Sequence, residues 1–61
     1  MCESKVILNR DGREELVMED VVKIEVKGDK LAIYGILGEK KEIIGKVVLM
    51  DLVGHKIIVE G

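Results

Sequence analysis

The residues best suited to chemistry stand at the start of the chain. Met1-Cys2-Glu3-Ser4 contains its one cysteine, and its one histidine, His55, lies near the other end. A thiol at the second position sits within a residue of an α-amine and an amide nitrogen. If Met1 is removed, Cys2 closes a five-membered amine–thiolate ring on a metal. If Met1 stays, its amine, the Cys2 amide nitrogen and the Cys2 thiolate form two fused rings. Either set is planar and rich in nitrogen and sulfur, which suits Ni(II) or Cu(II) over Mg(II) or Ca(II). One terminus supplies two or three donors, whereas two termini meeting across a twofold axis supply four. The alternatives are an incidental thiol at Cys2, a solvated charge at Glu3 and an exposed turn histidine at His55.

Catalytic equipment is otherwise absent from the sequence. Cys2 and His55 are the only nucleophile–base pair by type, and nothing places the thiol at an electropositive helix end. No glycine-rich phosphate loop precedes a helical pattern. The expectation is therefore a protein that is not an enzyme.

Those few residues need a scaffold. Sixty-one residues make a single small domain, 1–61, of a size at which buried surface alone gives thin stability. One cysteine excludes an internal disulfide, and there is no Cys/His cluster for a closed structural zinc site. Association through an apolar face is the remaining common device at this size, so a homodimer is expected. Lys+Arg 10 against Asp+Glu 12 leaves a net charge of -2, and Tyr34 is the only aromatic. That balance speaks against nucleic acid, which favours a basic stripe and stacking aromatics. A lone thiol, no signal peptide and no bilayer-length apolar run point to the cytoplasm, with no membrane partner.

The hydrophobic pattern has period two almost throughout. Val6 and Leu8 alternate with Lys5 and Asn9, and Val22, Ile24 and Val26 alternate with Lys23, Glu25 and Lys27. Leu31, Ile33 and Leu37 share a face, as do Ile43, Val47 and Leu49 in a run from Glu42 to Leu49. Lys56 to Glu60 makes the last strand. Asp11-Gly12 and Gly28-Asp29 are two-residue hairpin signals, and Gly38 and Gly54 mark further turns. Gly35 and Gly45, inside strands, predict bends. Glu14 to Val21 reads either as a strand or as a single helical turn. Ile44, Val48, Met50 and Ile58 place extra apolar groups on the outward side, as a dimer surface would. The fold expected is all-β: a small antiparallel barrel of five to six short strands.

Met1-Cys2, Lys5-Val6-Ile7-Leu8, Met18-Glu19-Asp20-Val21, Gly38-Glu39-Lys40-Lys41-Glu42-Ile43 with Gly45-Lys46, and Asp51-Leu52 with His55-Lys56-Ile57 resemble the CooT family, over nearly the whole chain. The Met-Cys start followed closely by Lys-Val is the most specific piece. The resemblance implies an SH3-like or Sm-like barrel, a homodimer, and one Ni(II) held at the dimer interface by Cys2. It also implies an accessory role, as metallochaperone or nickel store, in maturation of carbon monoxide dehydrogenase. Glu3 and Ser4 stand where apolar or small residues are expected. A small RNA-binding β-barrel, using Lys40, Lys41 and Lys46 as a basic patch, is the alternative.

Overall fold

A computed structural model describes residues 4–61, so Met1, Cys2 and Glu3 lie outside the described residues. Six strands follow one another: β1 (Ser4–Arg10), β2 (Arg13–Lys27), β3 (Lys30–Gly35), β4 (Lys40–Ile44), β5 (Lys46–Asp51) and β6 (Lys56–Glu60). They form one sheet in the order β4-β3-β2-β1-β6-β5. The all-β expectation is met, and no helix occurs among the described residues.

Three expectations are corrected. The strands are not uniformly antiparallel, because β1 and β6 run parallel while every other pair is antiparallel. The chain between them is long enough to supply the crossover that parallel pairing requires. The run Glu42 to Leu49 is not one strand: Gly45 divides it into β4 and β5. Nor is the sheet a closed barrel, since β4 and β5 are its two edges and no ladder joins them.

The sheet must nevertheless curl. In a flat six-stranded sheet the edges would lie about 24 Å apart. Here one residue joins them, and it spans about 7 Å between flanking Cα atoms. Gly45 is wedged into that join. Its N–H donates to the Asp29 carbonyl at 2.9 Å. A Cβ there would lie 2.7 Å from the Glu60 carbonyl oxygen and 2.8 Å from Val59 Cγ1.

The ambiguous stretch Glu14 to Val21 is strand, the first part of the 15-residue β2. Extra residues enter β2 at Val17, between Met18 and Val21, and at Val22. Asp20, at the middle of these, has a φ of 55°. Each bulge bends the strand and resets which face the next residue takes. β2 therefore pairs with β1 up to Val21 and with β3 from Val21 onward. Leu16 and Met18 end on opposite faces, Leu16 opposite Ile7 and Met18 opposite Val6. Val22 and Val26, expected inward, are exposed, and only Ile24 of that trio packs on the core.

The core inside the curl is small: Val6, Leu8, Met18, Leu31, Ile33 and Val59, flanked by Val17, Val21, Ile24, Ile43, Val47 and Ile57. These come from all six strands, so no strand leaves the sheet without opening it. Gly45→Ala should cost about 1–3 kcal/mol, because the new methyl meets backbone rather than a flexible side-chain end. Val22→Ala, at an exposed bulge, should stay within about 0.5 kcal/mol. Urea denaturation of both variants checks this; equal midpoints would show that the join is slack.

Candidate functional site

Cys2 stands outside the described residues, but the strand it leads into is firmly placed. Ser4 opens β1 opposite Val21. The Lys5 N–H donates to the His55 carbonyl at 3.0 Å, tying the start of β1 to the β5–β6 turn. Cys2 is two residues upstream of Ser4 in the sequence. His55 takes a φ of 56°, in the left-handed region where His is tolerated better than most residues. Ser4 and His55 line a common cleft of about 370 Å³ with Met50, Asp51, Leu52, Lys56 and Ile57. The start of β1 and the chain's one imidazole, distant in sequence, thus belong to one end of the fold.

Two turns flank this end, and they are built alike. After β3, the Leu37 N–H donates to Glu39 Oε1 at 3.0 Å, and Gly38 N–H to the Gly35 carbonyl at 3.1 Å. After β5, the Gly54 N–H donates to Asp51 Oδ1 at 2.8 Å. In each turn a glycine leaves room for the carboxylate: a Cβ would be 2.5 Å from Glu39 Oε1 at Gly35 and 2.6 Å from Asp51 Oδ2 at Gly54. Each turn displays an apolar pair. Leu37 is 85% exposed, and Leu52 and Val53 are 82% and 91% exposed. Ile36 is exposed beside Leu37, its N–H held by the Asp20 carbonyl at 2.9 Å.

Sequence reasoning missed these pairs, placing Leu37 inward. The signal was present: Gly35 and Gly38 bracket Ile36-Leu37, and Asp51 and Gly54 bracket Leu52-Val53. The outward aliphatics Ile44, Val48 and Met50 are exposed as expected, and Ile58 is half-buried. Ile58 belongs to an outer row, Leu16–Ile7–Ile58–Leu49, formed by residues opposite one another across β2, β1, β6 and β5.

The other half of the outer face is charged and self-satisfied. Tyr34 donates its hydroxyl hydrogen bond to Glu25 Oε1 at 2.9 Å, with Lys23 Nζ 4.3 Å and Lys40 Nζ 5.6 Å from its ring centroid. Glu42 lies 3.7 Å from Lys40 and 3.9 Å from Lys30. The Tyr34 hydrogen bond, and next the Lys23 charge, hold the Glu25 carboxyl below the usual carboxylate range. Of the lysines proposed for RNA, Lys40 is opposite Tyr34 on the outer face. Lys41 is opposite Ile33 and donates to the Val17 carbonyl at 2.9 Å. Adjacent in sequence, they face opposite ways and form no single patch.

With this geometry in place, similarity to known proteins is informative. Residues 1–60 match the family described as CO dehydrogenase accessory protein CooT. The chain belongs to the CooT family. An uncharacterized protein of Archaeoglobus fulgidus is 61% identical over 44 residues, which cover 72% of this chain and 98% of that protein. An uncharacterized protein of Methanocaldococcus jannaschii is 43% identical over the full length of both. A crystal structure assigned to CooT, from Carboxydothermus hydrogenoformans, matches with a TM-score of 0.87 and 32% identity, covering 97% of this chain and 95% of that one. Membership in the CooT family carries a CO dehydrogenase accessory role, not a catalytic one. Among the described residues no group of three or more His, Cys, Asp and Glu gathers as a metal cage. No helix among them is long and apolar enough to cross a membrane.

The Glu25–Tyr34 pair yields a titration test. Because the folded carboxyl is lowered, its contribution to stability is present above the unfolded pKa and fades as pH falls through the folded one. Tyr34→Phe should raise the Glu25 midpoint toward the ordinary carboxylate value, followed by side-chain carbonyl NMR. An unmoved midpoint would shift the cause to the lysines.

Proposed function

We propose that this chain is a nickel-binding accessory protein of carbon monoxide dehydrogenase, holding one Ni(II) between two copies through paired Cys2 thiolates. The observation that carries the reading is the anchored start of β1, tied to His55 and flanked by two braced apolar turns. Exposed apolar pairs held rigid by carboxylate hydrogen bonds have the character of an interface rather than of scattered surface aliphatics. A second copy seated there across a twofold axis would bring the starts of the two β1 strands to one interface, the arrangement that paired Cys2 ligation needs. Family membership supplies the link to the enzyme.

The donor chemistry fits the ion. Two thiolates with neighbouring nitrogen donors make a planar set of the kind Ni(II) accepts. His55, whose carbonyl ties down the start of β1, is a candidate further donor on this reading. The nickel is cargo on this reading, so a shared site open at the edge of a small domain suits transfer better than a closed cage does. The protein would act in the cytoplasm, where the thiol stays reduced. The curled sheet would then serve as an SH3-like or Sm-like frame that stiffens the metal-bearing end.

Titration with Ni(II) should raise a sulfur-to-nickel charge-transfer band that levels off at one metal per two chains. Cys2→Ser should abolish it, and an unchanged band in that variant would remove the thiolate from the site. Leu37→Glu and Leu52→Glu should weaken self-association by at least about tenfold in sedimentation, about 1.4 kcal/mol. Leu49→Glu, on the outer row, should leave it intact; the reverse pattern would put the interface on the outer face.

A further inference from the structure

At the other end of β1, remote from Ser4, the chain makes a second unusual choice. Arg10 and Arg13 are its only arginines, every other cationic side chain apart from His55 being lysine. They stand opposite each other as the closing pair of the β1–β2 hairpin. The turn between them is tight, with Asp11 at φ 54° and Gly12 at φ 77°, so both central residues are left-handed, as in a type I′ turn. Directly opposed residues of an antiparallel pair project to the same face, with Cβ atoms about 5 Å apart. Like charges in that position repel, and the arrangement weakens the hairpin unless something else occupies the space between them. The ion pairs found among the described residues include neither arginine.

A solubilising role does not explain the pair. Lysine serves that purpose elsewhere on the surface, and separated charges would serve it better than opposed ones. What two adjacent guanidinium groups supply is a fixed fork of donors matched to planar oxyanions, which an ammonium does not reproduce. The two arginines line an open cleft of about 530 Å³ with Asp11 and Glu15. Those carboxylates offset the arginines' charge, so binding there rests on the planar guanidinium forks and not on the bulk attraction that a nucleic-acid backbone exploits. The net charge of -2 and the absence of any aromatic residue in the cleft point the same way, against nucleic acid.

We propose that the Arg10–Arg13 pair is a docking site for side-chain carboxylates of an acidic segment on a partner protein. It lies at the opposite end of β1 from Ser4. A partner held there leaves the metal-bearing end uncovered, and the site works whether or not nickel is bound. The inference is thus independent of the nickel reading.

The test is an amide and arginine side-chain NMR titration of the full chain with a hexaglutamate peptide. Saturable shifts should concentrate on Arg10 to Glu15 and on both guanidinium groups. The double variant Arg10→Lys/Arg13→Lys keeps the charge and removes the forks, and it should weaken binding at least about tenfold while the rest of the spectrum stays in place. Shifts spread over the lysines, or equal affinity in the double variant, would reduce the effect to bulk electrostatics and overturn the proposal. Inorganic phosphate and oligouridylate serve as separate arms. If either saturates the same resonances while hexaglutamate does not, a carboxylate partner is ruled out.

Discussion

The whole structure depends on a covalent constraint. The two edges of a six-stranded sheet are joined through Gly45 alone, so the sheet has to wrap until those edges meet. Everything else accommodates that requirement. β2 absorbs the curvature through its extra residues and serves both halves of the sheet, and the core is whatever the wrapped inner face encloses. Gly45 also touches the β2–β3 turn and the end of β6, so the join braces the end of the sheet away from Ser4. The Ser4 end is left to be finished by its two carboxylate-braced turns. A core of this size leaves little reserve of stability. Burying the exposed apolar pairs against a second copy would supply more of it.

The division of labour follows from the topology. The central strand β1 presents one end to the β5–β6 turn and the other to the Asp11-Gly12 hairpin. Near the first stand Ser4, His55 and the apolar turns; at the second stand the two arginines. The outer surface around Tyr34 is already occupied by its own ion pairs and cation–π contacts. Exposed pairs of that kind are worth little individually, and they satisfy charges that would otherwise be free to bind a polyanion.

Much of this was readable from residue order, and the failures have one physical source. β1, β3 and β6 kept their alternation, and Asp11-Gly12 and Gly28-Asp29 turned the chain where their dihedral freedom predicts. Alternation carries its phase forward only while no residue is inserted. The bulges at Val17, Val22 and Val48 reset it, which is why Leu16, Val22 and Leu49 are more exposed than their patterns imply. Gly45 predicts a bend, but a bend and a strand boundary look the same in sequence. Parallel pairing of β1 with β6 leaves no local trace at all. The site was legible as a residue type rather than as a place. Cys2 stands out by its chemistry, while the neighbourhood of Ser4 with His55 and the two apolar turns required the fold.

The central claim is that two chain starts share one nickel ion, and the most direct measurement is the native mass of the assembly with and without Ni(II). The account predicts a species of two chains that gains the mass of a single nickel, and a Cys2→Ser protein that gains none. A protein that stays monomeric under both conditions, or a dimer that takes up one nickel per chain independently, would contradict it.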